Sequence, residues 1–204
     1  SYSVQAQIIT TTPLYPTATD EIVLVFDATD TPLEGYNGQM YAHTGVGLGD
    51  ENNWNYVIGD WGDNSNQPEL TNLGNDQWEL LITPTLYEFY GMPSGLEVVN
   101  LSFVFRSADA GTQTGDLFIP IFGNELQVIY YWGEGDATVL EGEIYRLHAV
   151  SPQADSMFLF INDELVYSTD EVELEYETTV TGEYGYWVPV PVSLMATNAT
   201  GVIL

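Results

Sequence analysis

The apolar residues of this 204-residue chain come in short runs, each closed by turn formers. Residues 22–26 (IVLVF) end on Asp27-Ala-Thr-Asp30. Residues 77–83 lie between Gly74-Asn-Asp76 and Pro84. Residues 98–105 alternate around one face. Such runs, with turn signals roughly every 8 to 15 residues, predict an antiparallel sandwich rather than helical layers. One short helix is predicted over 86–90, stopped by Gly91 and Pro93. It is too short to serve as a crossover between parallel strands.

The pattern restarts near residue 124. Leu117-Phe-Ile-Pro-Ile-Phe122 reads as a last strand, Gly123-Asn-Glu125 follows, and a fresh apolar run covers 126–132. Further runs lie at 143–150, 157–161, 171–177 and 186–192. The expected fold is therefore all-β, with two tandem antiparallel β-sandwiches of immunoglobulin-like type, residues 1–124 and 125–204. The second has an ordinary domain size. Asn162-Asp163 predicts a hairpin turn. Residues 171–177 alternate Glu with Val, Leu and Tyr, as a strand with one buried side does. Pro189 and Pro191 predict an edge or bulged strand, because proline cannot donate to the ladder.

Charge narrows the partners. The chain has 30 acidic residues, no lysine, and only Arg106 and Arg146 as strong bases, for a net charge of −28. Such a surface repels nucleic acid and anionic membranes. It leaves neutral ligands and metal cations. Adaptation to salt, metal-rich water or proteases would also explain the missing lysines. Hydrophobic residues make up 45% of the chain, which argues against global disorder. No apolar run reaches the ~18 residues a membrane helix needs, so no membrane insertion is expected. The chain begins at Ser1 without a basic leader, as a mature secreted chain or an excised portion would, so an extracellular or cell-surface location is expected. Cysteine is absent, which excludes disulfides and thiol chemistry. Sequons at Asn100 and Asn198 are short enough to arise by chance.

Catalysis has little support. His43 and His148, the two histidines, fall in different expected domains, and no nucleophile motif is present. A glycosidase needs two carboxylates across a cleft, and small sandwiches rarely supply the cleft. No enzyme is expected. Asp60, Asp63 and Asn64, with the loop 49–53, offer the hard oxygens calcium prefers. The same residues are turn formers, which is the favoured reading. Calcium is the one cofactor the sequence suggests.

Residues 41–61, "YAHTGVGLGDENNWNYVIGDW", set aromatic rings among Gly, Asn and Asp. Flat rings can cover the C–H face of a sugar while amides and acids bond its hydroxyls. Surface loops are where such residues act. Tyr41 and His43 should share one strand face, and Trp54 and Tyr56 another. For any single ring here, burial in the core is an equal alternative. Trp78 and Phe103, inside apolar runs, are expected in the core.

Four phrases, "IITTTPLYPTATDEIVLVFDAT", "GYNGQMYAHTGV", "WNYVIGDWGDN" and "LSFVFRSADAGTQTGD", cover much of residues 8–122. This region resembles the N-terminal module of secreted Bacteroidota family-13 glycoside hydrolases. That module is similar in layout to starch-binding modules of families 25 and 26. The resemblance implies that Tyr41, His43 and Trp54 cradle an α-glucan, with polar help from Arg106 and Asp109. It leaves Tyr56 and Trp61 to packing. An extra Ala110 interrupts the last phrase. The second half, with "SPQADSMFLFINDELVYS" and "VPVPVSLMATNATG", is similar to a bacterial immunoglobulin-like spacer. The implied function is noncatalytic binding of a polysaccharide beside a secreted degrading system. The alternative is a filament or surface-layer subunit that self-assembles by exchanging its end strands, residues 4–9 and 201–204.

Overall fold

The computed structural model describes residues 8–49, 53–132, 138–182 and 189–203. The chain divides into two compact units, Ser1–Phe122 and Gly123–Leu204. Each is a sandwich of two antiparallel sheets.

In the first unit, β1 (Ile9–Thr12), β2 (Ile22–Asp27), β4 (Thr71–Gly74) and β5 (Gln77–Ile82) form one sheet in the order β1-β2-β5-β4. The other sheet has the order β3-β6-β7, from β3 (Met40–Gly47), β6 (Asn100–Ser107) and β7 (Leu117–Pro120). Alternation in β2 sends Ile22, Leu24 and Phe26 inward. They meet Ala42, Phe103 and Phe105 of the opposite sheet in one core. Phe26 stacks on Phe105 at 4.4 Å between centroids, and Trp78 is also buried there. The predicted helix is α1 (Leu86–Phe89). Thr85 caps it: its Oγ1 accepts from Glu88 N at 3.3 Å and donates to the Glu88 carboxylate. The helix stops at Gly91, whose φ of 63° suits glycine.

The second unit pairs a β12-β9-β8 sheet with a β11-β10-β13-β14 sheet. The strands are β8 (Ile129–Trp132), β9 (Ile144–Val150), β10 (Ser156–Ile161), β11 (Glu164–Thr169), β12 (Glu173–Thr179), β13 (Val192–Asn198) and β14 (Gly201–Ile203). Leu147, Met157, Leu159, Leu174 and Leu194 fill its core. Asn162 and Asp163 form the expected hairpin turn, with φ of 52° and 64° and Ile161 paired to Glu164. Positive φ at both central residues is the type I′ geometry that matches strand twist.

Two expectations change. Pro189 and Pro191 precede β13 instead of lying within a strand, and residues 186–188 lie outside the described ones. The end strands are also occupied. Ile9 pairs with Phe26, and β14 folds back on β13 with Ala196 opposite Ile203. Residues 4–7 and 204 lie outside the described residues. Both sequon asparagines have engaged amides: Asn100 Nδ2 donates to Ser102 Oγ at 3.0 Å, and Asn198 Nδ2 to Gln153 O at 2.8 Å.

Candidate functional site

Strand parity builds the site. Along β3, Met40, Ala42, Thr44 and Val46 face the core, so Tyr41, His43 and Gly45 point to the other side. Directly across on β6 stand Arg106, Val104 and Ser102. The segment after β3 then closes over this outer face. Its backbone bonds to the edge of β3: Asn55 exchanges two 2.8 Å bonds with Val46, Ile58 N donates to Thr44 O, and Ala42 N donates to Pro68 O. Asn53 O accepts from Ser102 Oγ. Gly45 makes this close approach feasible. A Cβ there would lie 2.9 Å from Asn55 O and 3.5 Å from a Trp54 ring carbon.

Three rings meet above the strand. Trp54 stacks on His43 with centroids 5.3 Å apart and planes 26° apart. Trp61 meets His43 edge-on, at 5.1 Å and 79°. The two indole planes therefore stand at a steep angle to each other, a corner in which Trp54 lies over a face of His43 and Trp61 meets His43 edge-on. His43 and Trp54 are half-buried, while Trp61 is 49% exposed.

Beneath the corner runs a chain of polar contacts. Arg106 Nε donates to Gln67 Oε1 at 2.8 Å. Gln67 Nε2 sits 2.9 Å from Asp60 O and 2.7 Å from His43 Nδ1. Arg106 also donates to Asn64 Oδ1 at 2.7 Å and to Ser107 O at 3.0 Å, and lies 5.0 Å above the centre of the Tyr41 ring. Arg106 is fully buried and Gln67 nearly so. The described ion pairs, Arg146–Glu177 and His148–Glu173, do not include Arg106. It is a buried cation held by neutral acceptors and an aromatic face. Burial pushes its pKa below the ordinary value, while Tyr41 and Asp63 oppose that. Burial also lowers the His43 pKa, with the Arg106 charge as the second cause and Asp116 opposing. Both causes favour the neutral ring.

The expected residues divide accordingly. His43 and Trp54 stand together in the corner. Tyr41 and Arg106 are brought next to them but lie underneath: Tyr41 is only 8% exposed and Arg106 is covered, so neither is a contact surface for a ligand. Tyr41 is roofed by the guanidinium, and its hydroxyl is 3.3 Å from Glu69 Oε1. Burial, then the Glu69 charge, raise its pKa. Asp109 is a turn residue: its Oδ1 accepts from Ser107 Oγ at 2.6 Å and Gly111 N at 3.0 Å. In that turn the extra Ala110 takes a φ of 54°. Trp61 and Tyr56, expected to pack, are exposed instead, at 49% and 39%. Tyr56 has a φ of 49°, which breaks the second strand expected there and leaves a single bridge at Asn55.

Asp60, Asp63 and Asn64 lie in the turn beside the corner. Asp63 accepts from Ser65 and Asn66, which holds its carboxyl below the usual range. Asn64 Oδ1 already faces the Arg106 cation. A calcium ion would have to displace these partners, and part of the loop 49–53 (residues 50–52) lies outside the described residues. A different trio brings ligand atoms within 4.8 Å of one another: His148, Glu173 and Glu175, on the second sandwich. There His148 Nε2 and Glu173 Oε1 pair at 2.5 Å.

Sequence reasoning missed Gln67 and Trp61. Gln67 lies in "NSNQPEL", which has no motif. The usable signal was the scarcity of cations, since an arginine alone in a strand of the first half needs acceptors somewhere.

The fold and site define a class: an all-β double sandwich with an aromatic corner set over a buried polar relay. No family model matches the chain, and no curated protein matches it. Among solved structures it is similar to one described as "Structures of Clostridium thermocellum CbhA fibronectin(III)-like modules". The identity is 13%, over 95% of this chain and 87% of that one, with a TM-score of 0.29.

Proposed function

We propose that this chain is a noncatalytic glycan-binding protein or region that acts outside the cell beside a polysaccharide-degrading system, with an α-glucan as its ligand. The observation that carries this is the corner itself: Trp61, half exposed, and Trp54 set around a neutral His43. Apolar rings with a few fixed polar groups suit a neutral polyhydroxylated ligand. The steep angle between the indoles favours a curved chain such as an α-glucan, whose successive sugars turn, over a flat β-linked chain. The charge of −28 disfavours anionic polymers.

Native affinity electrophoresis tests this. Soluble starch in the gel should retard the wild-type protein, a β-1,4-glucan should not, and Trp61→Ala and Trp54→Ala should each migrate nearly unretarded. Equal mobility of the wild type with and without starch would sink the α-glucan reading.

A further inference from the structure

We infer that Arg106 and Gln67 are positioning residues that lock His43 as the Nε2–H tautomer, so that the corner presents one fixed hydrogen-bond donor and takes a ligand oxygen that accepts. The direction of every bond in the relay follows from its buried end. A guanidinium has donors only, so the atom 2.8 Å from Arg106 Nε must accept, and Gln67 has its carbonyl oxygen there. Its amide nitrogen then faces the other way, toward Asp60 O at 2.9 Å and His43 Nδ1 at 2.7 Å. The Asp60 carbonyl can only accept, which independently demands a donor at this end. Flipping the amide would set donor against donor at Arg106 and acceptor against acceptor at Asp60. Gln67 has one N–H left for His43, so Nδ1 must accept and the ring proton sits on Nε2. Among the described residues no hydrogen-bond partner stands at Nε2.

The consequence concerns both ligand and pH. A donor held in place among the rings pairs with a hydroxyl or ether oxygen. Protonating His43 would put an N–H on Nδ1, against the Gln67 amide N–H. The charged groups that act on the ring are Arg106 from β6 and Asp116 from the stretch before β7, while Asp63 of the covering segment acts on Arg106. Arg106 opposes the proton and Asp116 favours it. The ligand half of this inference rests on the glycan-binding reading; the tautomer half does not.

Two-dimensional ¹⁵N–¹H spectra of the histidine rings, recorded on the full chain without ligand at pH 7.5, read the tautomer directly. For His43 the expected pattern is a protonated Nε2 and an unprotonated, pyridine-like Nδ1. In Gln67→Glu the new carboxylate can accept from both Arg106 and the ring, so the pyridine-like Nδ1 signal should vanish and the His43 titration midpoint should rise. Above that raised midpoint the ring is neutral with its proton on Nδ1, Nε2 can only accept, and retardation by starch should weaken roughly five- to tenfold. A wild-type His43 in the Nδ1–H form, or in an even mixture, would overturn the inference without any variant. So would a folded Gln67→Glu protein with an unchanged His43. The expected tautomer together with no starch retardation would overturn the ligand half and the glycan-binding reading, and leave the relay standing.

Discussion

Each sandwich holds one of the two arginines and one of the two histidines, and each sets them on a face of its β9- or β6-containing sheet that points away from its core. The outcomes are opposite. In the second sandwich Arg146 and His148 lie two apart on β9, facing glutamates of β12. Arg146 and its partner Glu177 are each 55% exposed at the side chain, and His148 pairs with Glu173 at 2.5 Å. In the first sandwich the residues after β3 fold over the face, bury Arg106, and give it neutral acceptors instead of carboxylates. An exposed cation with a carboxylate makes a surface ion pair, which contributes little stability. A buried cation with only neutral partners spends its directionality on them, and so orders Gln67 and His43.

The largest expected effect separates the two arginines. Arg106→Met should destabilise the protein by about 2–4 kcal/mol in urea denaturation, because Gln67, Asn64 and the Ser107 carbonyl lose a buried partner. Arg146→Met should change stability by less than about 0.5 kcal/mol. Equal costs would break the comparison. Next, Gly45→Ala should cost about 1–3 kcal/mol, since the new methyl would lie 2.9 Å from Asn55 O and 3.1 Å from the Val57 side chain. It should also lower starch retardation by pushing Asn55, the neighbour of Trp54 in the covering segment, off β3. An unchanged mobility would mean that Trp54 does not need that seat. In the second sandwich the comparable weak point is backbone, not a site. Asp163→Ala should cost about 1 kcal/mol at a φ of 64°, and Asp163→Gly should not.

The smallest effect is a pH slope. The His43 pKa is lowered on folding from an ordinary value of 6.5, so the unfolded chain takes up the proton more readily. The stability this contributes is complete above pH 6.5 and is lost as pH falls from there toward the folded value. His43→Asn should flatten stability just below pH 6.5 relative to wild type. Parallel curves for the two proteins would show that His43 is not held neutral.

The strand framework was legible because period-2 alternation is local. β2, β5, β10 and the 162–163 hairpin lie where their sequences place them, and Gly91 and Pro93 marked the C-terminal end of α1. The aromatic site was half legible. Parity put Tyr41 and His43 on one face, but which of them reaches solvent depends on the segment after β3 crossing that face. That crossing is set by contacts such as Arg106 to Asn64, 42 residues apart, which no local period encodes. So Tyr41 and Trp61 exchanged roles: the strand tyrosine went under the roof, and the loop tryptophan became its outer wall.

The proposal that the aromatic corner of the first sandwich holds a glycan is tested most directly by titrating a soluble α-glucan into ¹⁵N-labelled protein. The Nε1–H signals of Trp54 and Trp61 and the ring signals of His43 should shift together. Buried Trp78 and His148 of the second sandwich should stay in place. Shifts centred on His148, or none at any of these rings, would contradict it.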